Sequence, residues 1–243
     1  MFIIKKRFNY GRKGVGNVKF KETKANKKLM GKNISILGDS ISTYRGASND
    51  VSSNATIASN PYFYMEPFPI EATYWMRLIE SLDMKLCVNN SWSGGNLSGT
   101  KDENSGVNRA KNLSRDNGEK PHFIIVFMGL NDLGRGVDVS VFAADYEKTL
   151  AIIKNNYPNA SVCCVNLPDR DIRLKKRAEL FNNAIDKAVS KAGDDFFVAD
   201  LFNNRLNNDF YYMNTVDGLH PDEDGMKIIA EVIETATKSH IGG

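Results

Sequence analysis

The sequence predicts a doubly wound α/β domain, a five-stranded parallel sheet between helical layers, over everything that follows residue 32. Three observations carry that expectation. Five short apolar runs recur along the chain, and stretches with helical hydrophobic spacing lie between most of them. One run, Phe123 to Met128, is apolar almost throughout, as a central parallel strand covered on both faces must be. Strand–helix alternation of this kind closes through right-handed crossovers, and it puts functional residues at the carboxyl ends of the strands.

Taken in order, Ile34-Ser35-Ile36-Leu37 is the first strand. Residues 44–71, rich in Ser, Asn, Pro and aromatics, are long for a structureless connection and mark a candidate functional loop. Thr73 to Ser81 is amphipathic, and Leu86-Cys87-Val88 is the second strand. Residues 93–119, rich in Gly, Asn and Ser, again exceed a minimal crossover loop. After the third strand, Val141, Phe142, Tyr146, Leu150 and Ile153 recur at helical spacing within 141–155. Val162 to Val165 is the fourth strand, and Leu180, Ile185 and Val189 give 174–191 a helical face. Phe196-Phe197-Val198 is the fifth strand. A last helix spans 222–238, where Asp222-Glu223-Asp224 complements the helix dipole.

The composition is that of an ordinary globular protein of 243 residues, 42% hydrophobic and 25% charged. Its net charge of +3 hides a division. Residues 1–32 hold eleven basic groups against Glu22 alone, and the other 211 residues carry a net −7. The chain thus divides into a basic arm, 1–32, flexible or loosely packed, and a body, 33–243. An acidic body excludes a uniformly basic nucleic-acid-binding domain, so no nucleic-acid partner is expected. The arm reads as a solvated extension, with a tether to an anionic surface as the alternative. Its Gly11-Arg12-Lys13-Gly14-Val15-Gly16 neither follows a strand nor opens a helix, so it is no phosphate loop. Arg170 to Arg177 reads as a solvated helix start.

Cys87, Cys163 and Cys164 are too few for a disulfide framework, and each falls in an apolar run. No CxxC or HExxH spacing occurs, and no metal is expected. Met1 to Ile4 precede Lys5-Lys6-Arg7, the reverse of a signal peptide, and no apolar run approaches the ~20 residues that span a bilayer. The chain therefore reads as cytoplasmic and without a membrane span, with export of a processed form left open.

Four short motifs sit where strands end. Gly38-Asp39-Ser40 follows the first strand, where a turn can lift a serine hydroxyl above the sheet. Asn89-Asn90-Ser91-Trp92-Ser93-Gly94-Gly95 follows the second, and glycine there lets a backbone N–H approach a reacting oxygen. Gly129-Leu130-Asn131-Asp132 ends the third and offers a neutral amide donor. Asp217-Gly218-Leu219-His220-Pro221 precedes the last helix; an aspartate three residues before a histidine can fold back on Nδ1 and leave Nε2 to take a serine proton. Alone, each motif has an ordinary structural reading as a cap or a turn.

Together, in this order, they resemble the consensus blocks of the SGNH (GDSL-type) hydrolase superfamily over residues 33–238. The stretch Gly38 to Tyr44, with Tyr74-Trp75 and Val88 to Gly94, is similar to a bacterial branch of uncharacterised GDSL-like esterases, which tends to carry a tryptophan pair in place of Tyr74-Trp75. The resemblance implies a flavodoxin-like three-layer α/β/α fold, with 33–243 as the catalytic domain. By position it makes Ser40 the nucleophile, His220 the base and then acid, and Asp217 its orienting partner. The Ser40 N–H, the Gly94 N–H and the Asn131 side chain become the oxyanion donors, Gly95 being the alternative to Gly94. No cofactor is implied. Asp39 and Asp132 read as structural.

The activity implied is serine-dependent hydrolysis of carboxylic esters through an acyl-enzyme. Aromatics and amides near the presumed mouth, among them Tyr44, Tyr62, Phe63, Tyr64, Phe68, Tyr74, Trp75 and Trp92 with Asn49, Asn54 and Asn60, suit a sugar or a small acylated alcohol or else pack an irregular loop. Tyr44, Tyr74, Trp75 and Trp92 are the candidate substrate-binding residues. No long apolar lid is evident, so short-acyl, O-acetyl esters of carbohydrates or small molecules are favoured. Alternatives are an acyltransferase using the same acyl-enzyme, a lysophospholipase or thioesterase, and a binding protein without activity.

Overall fold

The computed structural model describes residues 24–47, 62–169, 171–203 and 214–242. Its sheet has five parallel strands, β1 (Asn33–Gly38), β2 (Lys85–Ser91), β3 (Phe123–Phe127), β4 (Ser161–Val165) and β5 (Phe196–Ala199), in the order β2-β1-β3-β4-β5. This order reverses direction between β1 and β3, the switch point where doubly wound sheets open a crevice. Register makes that crevice usable. Gly38 pairs with Ser91 on one side and Phe127 on the other, so three strands end level and release their motifs side by side.

Seven helices cover the two faces among the described residues: α1 (Lys24–Leu29), α2 (Tyr74–Ser81), α3 (Gly106–Arg109), α4 (Leu130–Gly134), α5 (Val139–Asn156), α6 (Lys175–Ala192) and α7 (Glu223–Gly242). Helices α1 and α2 pack with α7, while α3 and α6 pack with α5, giving three layers. Helices α2, α5 and α7 start where the sequence satisfies exposed N–H groups, whereas α6 begins after Leu174 with no side-chain cap. Thr73 Oγ1 accepts from the Met76 N–H, Asp138 from the Ser140 N–H, and Asp222 from the Gly225 N–H.

The buried faces follow 3.6-residue spacing, with two departures. In α5, Phe142, Tyr146, Leu150 and Ile153 are buried, but Val141 is 49% exposed. In α6 the core face is Phe181, Ile185, Ala188 and Val189, and Leu180 points outward at 53% exposure. Phe181 meets Phe142 at 4.4 Å between ring centroids, which locks α6 to α5. All five residues of β3 are buried, and the three cysteines are free and buried.

The end of the basic arm is part of this packing. Leu29 is buried, the Lys28 ammonium donates to the Ile241 carbonyl at 2.7 Å, and the Gly31 N–H donates to Asp83 O. A division at residue 32 therefore cuts through packed structure. Residues 1–23, with the Gly11–Gly16 stretch, lie outside the described residues, as does Arg170. No helix among the described residues is long and apolar enough to cross a membrane.

Candidate active site

Gly38 closes β1 at a point too crowded for any side chain. A Cβ there would lie 2.4 Å from Ser42 Oγ and 2.7 Å from Ser91 Oγ. Asp39 then caps a single 3-10 turn, Ser40–Ser42, by accepting from the Ile41 N–H at 3.1 Å. Ser40 thus opens the turn with its side chain at the level of the strand ends. No acceptor among the described residues takes the Ser40 N–H.

The partner of Ser40 comes from the far end of the chain. His220 Nε2 is 2.9 Å from Ser40 Oγ, and His220 Nδ1 is 2.7 Å from Asp217 Oδ2. The second carboxylate oxygen of Asp217 accepts the backbone N–H groups of Leu219 and His220, which folds the turn tightly enough for residues three apart to meet. Burial raises the Asp217 carboxyl, but the bonds from the His220 backbone and ring and from Leu219 outweigh it, and its pKa lies below the usual carboxylate value. An ionised aspartate on Nδ1 fixes the tautomer that leaves Nε2 as an acceptor for the serine proton.

Facing this pair is α4. Gly129, at φ +126°, makes a bend closed to residues with a side chain and starts the helix directly after β3. Asn131 Nδ2 donates to Gly95 O at 3.0 Å and makes a longer contact, 3.4 Å, with Asp39 Oδ2. Buried Asp132 accepts the N–H groups of Leu97 and Ser98 at 2.7 and 3.0 Å, together with the Ser98 hydroxyl. Arg135 donates to Gly94 O at 2.7 Å and to Asn96 Oδ1. Three side chains of one short segment thus hold loop 94–98. The Gly95 N–H is committed to Trp92 O at 3.0 Å, whereas no acceptor among the described residues engages the Gly94 N–H. This favours Gly94 over Gly95 as a free donor.

Between Ser40, Ile41, Leu130, Asn131, Arg135 and Leu219 lies a cavity of about 170 Å³. The arrangement can take a proton from a serine hydroxyl, place a carbonyl carbon beside it and meet the oxygen of that carbonyl with N–H donors.

The model of the GDSL-like Lipase/Acylhydrolase family matches residues 34–233, most of the chain. The chain belongs to this family. It is an ester hydrolase with the SGNH hydrolase fold. Among solved structures, this GDSL hydrolase is similar to a candidate GDSL-like lipase from Bacteroides ovatus at 22% identity and a TM-score of 0.67, with 87% of this chain and 100% of that one covered. A second candidate GDSL-like lipase, from Bacteroides uniformis, has 23% identity and a TM-score of 0.63 over 86% and 96% of the two chains. A family two carbohydrate esterase from Clostridium thermocellum, solved with cellohexaose, has 16% identity and a TM-score of 0.63 over 88% of this chain and 66% of that one. No individual curated protein matches it.

The residues expected to bind substrate need correction. Tyr74 and Trp75 are wholly buried, with Tyr74 Oη sharing a 2.7 Å hydrogen bond with Ser42 Oγ. Tyr44 is buried too and donates to Phe68 O at 2.7 Å. These three rings pack the hydrolase core and cannot touch a ligand without unpacking it. Trp92 is half-buried. Asn49, Asn54 and Asn60 lie outside the described residues.

Other residues of the site had no motif to announce them. Buried Arg109, from the Gly/Asn/Ser-rich stretch, donates to the carbonyls of Gly38, at 2.9 Å, and Asn90, tying the ends of β1 and β2 behind the Ser40 turn. Burial lowers its pKa to about 10, against the opposing charges of Asp39 and Asp102. Burial also lifts the Asp39 carboxyl to about 7, with the Ile41 N–H and the Arg109 charge pulling the other way. Arg135 was likewise unmarked, and Phe63 was named only among the aromatics of the mouth, because their contacts are with loops distant in sequence.

Proposed function

We propose that this hydrolase forms an acyl-enzyme on Ser40 and acts on short-acyl, O-acetyl esters of carbohydrates or small molecules. The observation that carries the reading is the unbroken chain from Ser40 Oγ through His220 to Asp217, at 2.9 and 2.7 Å, opening on a cavity of only about 170 Å³. Drug-sized ligand pockets run to roughly 300–1,000 Å³, so a cavity of this size suits a small acyl group.

In this reading His220 Nε2 accepts the Ser40 proton as Oγ attacks the ester carbonyl. The developing oxyanion meets the Ser40 N–H, the Gly94 N–H and Asn131 Nδ2. Asn131 has a hydrogen to give: one N–H is held by Gly95 O, and the other has only the 3.4 Å contact with Asp39 to exchange. Such preorganised donors act on charge that exists only in the transition state. His220 then protonates the leaving alcohol. Water, deprotonated by the same imidazole, releases the acid from Ser40. Asp217 holds the tautomer throughout and stabilises the imidazolium. The carbohydrate side of the proposal is supported by the fold shared with the family two carbohydrate esterase crystallised with cellohexaose.

A series of p-nitrophenyl esters of increasing chain length, with acetylated sugars beside them, tests the substrate class. Acetyl esters should give the highest kcat/KM, falling by more than about tenfold once the acyl chain outgrows the cavity. Faster turnover of long-chain esters would overturn the short-acyl assignment.

A further inference from the structure

The imidazole of His220 is held at both ring nitrogens, by Ser40 and by Asp217. Two bonds at opposite ends of the ring fix the line joining Ser40 Oγ and Asp217 Oδ2, and rocking about that line is left to the packing on the ring faces. The Phe63 ring blocks that motion. It stacks on the imidazole with centroids 3.5 Å apart and planes 10° from parallel.

Phe63 is itself tied to both halves of the site. Its N–H donates to Thr43 Oγ1 at 2.7 Å, and that hydroxyl donates to Ser40 O at 2.8 Å. The next residue, Tyr64, bridges to Tyr44, accepts the Arg45 N–H and donates from its hydroxyl to Pro221 O at 2.6 Å. Residues 62–64 therefore connect the nucleophile turn to the histidine turn, with Phe63 at the junction.

We infer that Phe63 is a positioning residue for His220: its face holds the imidazole in the plane that meets Ser40, and its π electrons stabilise the imidazolium formed during acyl transfer. The inference rests on His220 being the base, as proposed above. An aromatic face attracts a cation, and a ring in van der Waals contact gives that attraction to the charged state alone. The stack thus favours the transition state, where the proton sits on His220, over the ground state. Among the described residues, the titratable groups set around the imidazole include Asp217 on its own turn, Tyr64 edge-on at 6.4 Å between centroids, and Asp39 beside the serine.

The test compares Phe63→Leu and Phe63→Met, which keep an apolar cover without a π face, with Phe63→Tyr, which keeps the face. With p-nitrophenyl acetate, both aliphatic variants should lose about 10- to 10²-fold in kcat, the scale of a small misplacement of reacting groups, with a much smaller change in KM. The acid limb of kcat/KM should move to lower pH, since the imidazolium loses its partner, and Phe63→Tyr should restore both. Histidine proton NMR of the free enzyme reads the stack without any substrate, and only three histidines crowd the spectrum. The His220 ring protons should show an upfield ring-current shift that disappears in the aliphatic variants, and the imidazole should titrate at lower pH there. Full activity in the aliphatic variants, or a loss of activity with the pH limb and the NMR titration unmoved, would overturn the inference. A wild-type enzyme inactive on every acyl ester would overturn the esterase reading instead, and the NMR arm would still decide the stack.

Discussion

On one flank of the Ser40 pocket, α4 and the residue that follows it grip loop 94–98 through side-chain hydrogen bonds, donated by Asn131 and Arg135 and accepted by Asp132. On the other, the histidine turn is braced by its own backbone N–H groups on Asp217 and by the ring of Phe63. The first flank is a polar network around buried Asp132, whose removal orphans the donors it accepts. The second is a local turn covered by an apolar face, where a substitution disturbs alignment before it disturbs folding. In the proposed mechanism the first flank must hold fixed dipoles where charge will appear, and the second must tolerate a proton arriving and leaving. Each is built from the interactions that suit its task.

The comparison can be broken most severely at Asn131. Asn131→Ala should reduce kcat by about 10²–10³ with little change in KM, the cost of one oxyanion donor, in steady-state hydrolysis of p-nitrophenyl acetate. A loss confined to KM would move Asn131 from the oxyanion to ground-state binding. Asp132→Asn sharpens the contrast, because its larger effect should be on folding. One amide oxygen cannot accept the Leu97 and Ser98 N–H groups and the Ser98 hydroxyl that the carboxylate accepts now. Leaving a buried donor unpaired should cost about 1–3 kcal/mol, read as a lower midpoint in urea, with a smaller drop in kcat than Asn131→Ala. Changes on the opposite flank, at Phe63, should shift the pH profile and leave that midpoint nearly unmoved.

The pH dependence separates the groups further. The folded-state pKa of Asp217 is depressed, so what its ionised form contributes is fully present above the ordinary carboxylate value of about 3.9. That contribution is lost only as pH falls through the lower folded value. An acid limb between pH 5 and 8 is therefore not that of Asp217; the groups that can carry it are the histidine and the Asp39 carboxyl, which burial lifts to about 7, and the histidine NMR titration separates the two.

These flanks also differ in how far the sequence announced them. Asp217 and His220 were legible because three residues of one turn bring them together, and Asn131 because Gly129 must follow the end of an apolar strand. The five strands were legible for the same local reason. Contacts across loops were not. Phe63 and His220 stand far apart in the chain, as do Arg135 and Gly94, and no periodicity links them. Tyr74 and Trp75 misled because aromatics near a motif suggest a binding surface, yet with Leu78 they share the buried face of α2. Helical spacing was the better guide there. In α6 the face was set one residue early at Leu180, where Phe181 is the core residue. The basic arm hid a similar surprise, since charge counting cannot see that Leu29 is buried with α1 against α7.

The claim on which everything rests is that Ser40 carries the acyl group. Rapid mixing with p-nitrophenyl acetate, acid quenching within the burst, and mass spectrometry of the digested protein test it directly. One acetyl group is expected on the peptide containing Ser40, formed in step with p-nitrophenol release and absent from Ser40→Ala. Turnover that persists in Ser40→Ala, or an acetyl group trapped on any other residue, would contradict it.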